Sequence, residues 1–118
     1  MKKHNKIKGN IGEEKAIKYL INKNYKILEK NFTTKIGEID IIAKDNDIVV
    51  FIEVKSRLNS KYGSPYEAVN FKKQRKIINT AKLYSKYNKL YDTQFRFDIL
   101  EYYINENKIN HIINAFWT

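Results

Sequence analysis

The chain has 118 residues, about the size of one ordinary domain, which leaves no room for a second independent core. Hydrophobic residues make up 42% and charged residues of mixed sign 31%, so a compact globule is expected and disorder is excluded. Lys and Arg total 23 against 13 Asp and Glu, a formal charge of +10 that points to polyanionic partners, although a merely solvated basic surface has the same composition; the absence of Cys excludes disulfide frameworks, thiolate metal sites and zinc fingers.

Residues 1–10 are basic but are not followed by an apolar run of signal-peptide length, and no window approaches ~18 consecutive apolar residues. A soluble, cytoplasmic protein with no membrane contact is expected. From Ile7 to Lys23, the residues Ala16, Ile17, Leu20 and Ile21 recur at helical spacing and predict an amphipathic helix that ends at Asn22–Asn24. Tyr25–Phe32, Glu38–Lys44 and Ile48–Lys55 are rich in β-branched and aromatic residues and predict three consecutive strands. Ser64-Pro65-Tyr66-Glu67 places a capping Ser, a first-turn Pro and a Glu three residues after the cap, predicting a helix from there to about Tyr87. Phe95–Tyr103 and Lys108–Ala115 predict two final strands joined by a turn near Asn105–Asn107. The order αβββαββ implies a single α/β domain over residues 1–118, a mixed sheet with a helix on each face.

Two acids and a lysine interrupt the otherwise apolar middle strands, in Gly37-Glu38-Ile39-Asp40-Ile41-Ile42 and Phe51-Ile52-Glu53-Val54-Lys55. Alternation along a strand puts Glu53 and Lys55 on one face, roughly 7 Å apart, and Ile52 and Val54 on the other. A hairpin turning through Asn46-Asp47 pairs Asp45 with Ile48 and, counting back, sets Asp40 opposite Glu53 and Glu38 opposite Lys55. Two carboxylates at cross-strand distance can share one hard divalent cation such as Mg²⁺, with Lys55 orienting an attacking water or offsetting transition-state charge. The alternative is a hairpin whose polar residues face solvent, with Glu38 and Lys55 forming an ordinary cross-strand pair. Exposed pairs contribute only about 0–1 kcal/mol, so stability gives little reason for acids at these positions.

These segments, extended to Ser56-Arg57 and joined by Gly63-Ser64-Pro65 and Arg96-Phe97-Asp98, resemble the YraN family of small bacterial endonuclease-like proteins over nearly the whole chain. More distantly, that family is similar to archaeal Holliday-junction resolvases and other PD-(D/E)XK nucleases, which implies a restriction-endonuclease-like mixed sheet flanked by helices. The resemblance places the catalytic Asp at Asp40, the second acid at Glu53 and the lysine at Lys55. Gly9 and Glu13 match a resolvase-like first-helix motif, giving Glu13 a part in catalysis and metal binding beside Asp40 and Glu53. Ile39 stands where the superfamily has Pro. Gln74 matches a later-helix Gln of related branches, but Ile78 replaces the Tyr four residues on; Gln74 and Glu38 are therefore supporting positions.

Glu13 also falls near the centre of the stripe formed by Ala16, Ile17, Leu20 and Ile21, where a carboxylate is costly unless paired, hydrated or metal-bound. The alternative is a helix-start acid facing the positive end of the dipole. Gln74 aligns with Ile77, Ile78 and Ala81, while Lys72, Arg75 and Lys76 point outward; with Arg57 and Lys61 they are candidates for nucleic-acid phosphate contacts, or else a solvated face. Arg96 and Asp98 share a strand face as a structural ion pair. His4 and His111 are too isolated in sequence for a metal-ligand motif.

The function expected is a Mg²⁺- or Mn²⁺-dependent endonuclease acting on DNA, including branched or structured forms, with RNA an alternative substrate and a homodimer compatible with the reading. The competing expectation is a catalytically silent nucleic-acid-binding module of the same fold, an accessory to recombination, repair or DNA uptake.

Overall fold

The computed structural model describes residues 2–59 and 70–116, with side chains described from Ile11 onward. Its elements are α1 (Lys2–Asn22), β1 (Lys26–Thr33), β2 (Glu38–Asp45), β3 (Ile48–Arg57), α2 (Phe71–Tyr87), β4 (Gln94–Tyr103) and β5 (Lys108–Phe116). They form one five-stranded sheet in the order β1-β2-β3-β4-β5. β3 and β4 run parallel, and every other neighbouring pair is antiparallel. The expected order, the mixed sheet and the five strands are all observed, with strand ends within two residues of the predicted ones. No helix among the described residues is long and apolar enough to cross a membrane.

The helix starts differ from expectation. α1 begins near residue 2 rather than at Ile7, because periodicity registers only the segment that carries apolar residues, whereas a backbone helix can continue beyond it. α2 begins at Phe71, capped by Asn70, which is extended (φ −77°, ψ 172°) and whose Oδ1 accepts the Lys73 N–H at 2.9 Å. An unbroken helix from Ser64 is therefore not formed, and the Ser64–Glu67 signal itself lies outside the described residues. Asparagines carry most of the tight reversals: Asn24, Asn46 and Asn107 all adopt positive φ at chain turns.

Each helix covers one face of the sheet. On α1's face, Ala16 and Leu20 pack with Ile41, Ala43, Val50, Ile52 and Leu100. On α2's face, Ile77, Ile78, Ala81 and Tyr84 pack with Ile39, Ile42, Val49, Phe51, Phe97, Ile99 and Phe116. Ile21, placed by periodicity in α1's inner stripe, is instead 54% exposed, because the stripe is narrower than the predicted one and ends at Leu20. α1 crosses β3 at Gly12, where an added Cβ would stand 2.0 Å from Ser56 Oγ and 3.5 Å from Val54 Cγ1. Gly12→Ala is expected to destabilise the fold by about 1–3 kcal/mol through overpacking, more than its gain in helix propensity. Urea unfolding measures this, and Ser56→Ala in the same chain should recover part of the loss.

A buried polar network ties α1 to the β4–β5 pair. The Asp98 carboxylate, fully buried, accepts from Arg96 Nε and Nη2 (2.9 Å each), from His111 Nε2 (2.7 Å) and from the Asn114 N–H (2.9 Å). Arg96 also donates to Asp45 (3.0 Å) and to the Tyr25 hydroxyl (2.6 Å), and His111 Nδ1 lies 3.0 Å from the Tyr19 hydroxyl of α1. In the neutral imidazole with its proton on Nε2 toward Asp98, Nδ1 accepts from Tyr19. The register of β4 with β5 shifts between Phe97 and Ile99, and Asn114, at φ 58°, turns its N–H toward Asp98 at that irregularity.

Candidate active site

The β2–β3 hairpin turns as its sequence predicts. Asp45 pairs with Ile48, and the ladder runs back without a slip to Ile41 opposite Ile52. There the paired ladder stops, one step short of the expected Asp40–Glu53 pair. The Asp40 carboxylate instead accepts the Val54 N–H at 2.8 Å, so a side chain takes over a backbone hydrogen bond. The side-chain alternation of β2 slips at the same point: Ile39 and Ile42, three residues apart, both face α2, while Ile41 and Ala43 face α1. Asn31, in β1 between the Phe32–Ile39 and Lys30–Ile41 pairs, has φ 53°. Asp40 thus sits where the sheet loses its regular pairing.

A cleft of about 260 Å³ opens beside it, lined by Gly37, Glu38, Asp40, Glu53, Lys73, Lys76 and Ile77. The turn before β2 reaches α2 at Gly37, where a Cβ would stand 2.6 Å from Thr80 Oγ1 and 3.4 Å from the Lys76 carbonyl oxygen, so only glycine permits this approach. A second groove of about 440 Å³, lined by Phe51, Ile78, Phe95 and Phe97, offers Lys82 as its only ionisable side chain. A third groove, of about 660 Å³, carries Lys44, Asp47 and Asp92, all exposed; of the three, the cleft at Asp40 alone holds a buried carboxylate, that of Glu53.

Glu53 is 7% exposed and shares α2's face of β3 with Lys55, as alternation predicts. Its Oε1 lies 3.6 Å from Lys55 Nζ and 2.6 Å from Lys73 Nζ. Burial, and then the neighbouring Glu53 charge, push the Asp40 carboxyl up to about 7, against the lowering effect of the Val54 N–H. Burial also raises Glu13, with the Asn31 side chain opposing and the charges of Glu38 and Glu53 adding to the rise. Burial lowers Lys55, and neighbouring Lys73 lowers it further. Burial works against the charge on Lys73 too, but the hydrogen bond and charge of Glu53 outweigh it and hold its ammonium above the ordinary lysine value.

The structure thus brings Asp40, Glu53 and Glu38 to one cleft, with Lys55 beside Glu53. Glu13 is half-buried and close enough for its charge to be felt at Asp40, but it does not line the cleft. Glu38 is exposed and pairs across to Thr33; no Glu38–Lys55 ion pair occurs among the described residues, because Lys55 turns to Glu53. Gln74 is half-buried on α2. Lys72, Arg75 and Lys76 are exposed, and Lys76 reaches the cleft wall. Arg57 is held by buried Glu101, which also accepts the Tyr103 hydroxyl at 2.5 Å, so its guanidinium is partly committed within the sheet. Lys61 and the surroundings of Gly9 lie outside the described residues.

Sequence reasoning missed Lys73. The signal was present, because Lys73 lies four residues before Ile77 and seven before Thr80, in the same inner stripe that Ala81 and Tyr84 continue. The rule that singled out Glu13 and Gln74 applies equally to it. It was hidden in the basic run Lys72–Lys76.

Together these features define a small mixed α/β domain whose acid and lysine side chains meet where two neighbouring strands part. The chain belongs to the uncharacterised protein family UPF0102, whose sequence profile matches residues 12–102, a span that includes every cleft residue. UPF0102 is the YraN family. The UPF0102 protein of Clostridioides difficile strain 630 is 56% identical over 113 residues, covering 96% of this chain and 99% of that protein. A UPF0102 protein of Caldanaerobacter subterraneus is 50% identical, covering 98% and 100%. Another, from Persephonella marina, is 50% identical over 110 residues and covers 93% of each chain.

Proposed function

We propose that this protein is a cytoplasmic, divalent-metal-dependent endonuclease that hydrolyses DNA phosphodiester bonds, including those of branched or structured DNA. The observation that carries this reading is the convergence of Asp40 and Glu53 in one cleft, where burial and the Glu53 charge push Asp40 up to about 7. The donor set suits a hard ion: it is all carboxylate oxygen. No three Asp, Glu or His side chains among the described residues group closely enough to hold an ion by themselves. Two carboxylates suffice for Mg²⁺ or Mn²⁺ when water and substrate phosphate complete the coordination, so Asp40 and Glu53 are the proposed ligands and Glu13 adds negative charge nearby.

An ion bound there would polarise the scissile phosphate and acidify an attacking water. Lys55 orients that water or offsets charge as the phosphorus–oxygen bond breaks. Lys72, Arg75 and Lys76, exposed on α2 and extending to the cleft wall, hold the DNA backbone without reading its sequence.

A second reading, a nucleic-acid-binding module without catalysis, is favoured by one feature. Glu53 carries the Lys73 ammonium at 2.6 Å, a cation already in place. Incubation of the wild-type chain with supercoiled, single-stranded and four-way-junction DNA, in Mn²⁺ and in chelator, separates the two. Metal-dependent cutting is expected, and the best substrate names the subtype. Salt-sensitive DNA binding with no cutting in either condition replaces the nuclease with the binding module.

A further inference from the structure

A buried carboxylate needs a cation, and two groups compete for that place at Glu53. The residue is 7% exposed and stands in a cleft with Asp40 and Glu38. Its Oε1 is within hydrogen-bonding distance of Lys73 Nζ, at 2.6 Å, whereas Lys55 Nζ stands off at 3.6 Å. The short contact is a charge-assisted hydrogen bond, and it comes from α2 rather than from the sheet. The two lysines are also anchored differently. Lys55 is 27% exposed on the central strand β3. Lys73 is 41% exposed in the first turn of α2, its backbone N–H held by the Asn70 cap and its long stem at the cleft mouth. The backbone is fixed while the ammonium has solvent to move into.

A divalent ion on the same carboxylate would lie within about 4 Å of that ammonium, where like charges repel strongly even at an effective dielectric constant near 20. That repulsion opposes joint occupancy of Oε1. Resting on the nuclease reading, we propose that Lys73 is an exchangeable counter-cation of Glu53: it neutralises the carboxylate in the metal-free protein and must leave it when a divalent ion binds. Lys73 is then a positioning residue that keeps Glu53 ordered and sets how tightly the cleft holds metal, while Lys55 stays with the site throughout. The cation seen on Glu53 thus becomes a competitor of the metal rather than a permanent substitute for it.

The test is a calorimetric titration of the full metal-free chain with Mn²⁺, without DNA, for wild type, Lys73→Met, Lys73→Arg and Lys86→Gln. Met keeps the aliphatic stem and removes only the ammonium. Lys86, exposed in the last turn of α2, controls for the loss of one unit of net charge. Lys73→Met is expected to bind Mn²⁺ at least about tenfold more tightly than wild type, because the charge-assisted hydrogen bond of Lys73 to Glu53 no longer has to be broken. Lys73→Arg and Lys86→Gln should stay near wild type. Structural damage would weaken metal binding, so tightening has no such explanation. Equal affinity in wild type and Lys73→Met overturns the counter-cation role and leaves the nuclease reading standing. No Mn²⁺ binding by any of the four proteins removes the nuclease reading and the inference with it.

Discussion

Asp98→Ala is expected to lower the unfolding free energy by about 3–5 kcal/mol, the range for breaking a buried, hydrogen-bonded charge pair from one side. Asp98 is fully buried, and its carboxylate collects two N–H groups of Arg96, the His111 Nε2–H and the Asn114 N–H. In the variant, Arg96 keeps Asp45 and Tyr25 but loses its innermost partner, and the Asn114 N–H is left without its acceptor. Burial alone would raise the Asp98 carboxyl, but His111, then Arg96 and the Asn114 N–H outweigh it and hold it below the usual carboxylate range. The folded state therefore binds its proton less readily than the unfolded chain does. The stabilisation is present above the unfolded carboxylate value near ~3.9 and is lost as pH falls below it. Urea unfolding at pH 7 should show the full difference between wild type and variant, and the gap should narrow below about pH 4. An Asp98→Ala chain as stable as wild type at pH 7 would contradict this account of the network.

Asp40→Asn should act in the opposite direction on stability. With its carboxyl pushed up to about 7 by burial and by Glu53, Asp40 keeps its proton in the folded state well above the pH at which the unfolded chain releases it. Folding is thus favoured at low pH, and that stability is lost as pH rises from about 4 through about 7. The Asn side-chain oxygen can still accept the Val54 N–H that Asp40 accepts at 2.8 Å. In chelator at pH 8, the variant is expected to be more stable than wild type by on the order of 2 kcal/mol, with little difference near pH 4. In the same variant, divalent-ion binding and cleavage should disappear. Equal stabilities at pH 8, measured by denaturant unfolding, would mean that Asp40 carries no such unfavourable charge.

These opposite effects follow from details that the sequence discloses unevenly. The strand order was legible because β-branched runs alternate with Asn-rich reversals, and Asn46-Asp47 fixed the β2–β3 register as far as Ile41 and Ile52. Counting further assumed an unbroken ladder. The slip at Asp40 escaped because alternation is a property of paired strands, and pairing ends where Asp40 takes the Val54 N–H. Glu53 and Lys55 needed no partner strand to share a face, so their placement was readable from β3 alone.

The start of α2 was placed by the Ser64 signal alone, and the Asn70 cap was not read. The buried residues of α2 begin only at Ile77, beyond both positions, so periodicity gave no check on the start. His111 looked isolated because its partner, Asp98, lies on another strand, and the irregularity at Asn114 that completes the cluster has no simple sequence signature. Lys73 was readable from helical spacing but concealed among its basic neighbours.

The central claim is most directly tested by titrating Mn²⁺ into wild type, Asp40→Asn and Glu53→Gln, then incubating each with supercoiled DNA and scoring binding and cleavage separately. Wild type should bind the ion and cut. Both variants should lose ion binding and at least about a hundredfold of the cleavage rate while still binding DNA, since the exposed basic residues of α2 are untouched. If wild type binds DNA equally well with and without the ion, cuts nothing, and neither substitution changes its behaviour, the cleft at Asp40 is not a nuclease active site.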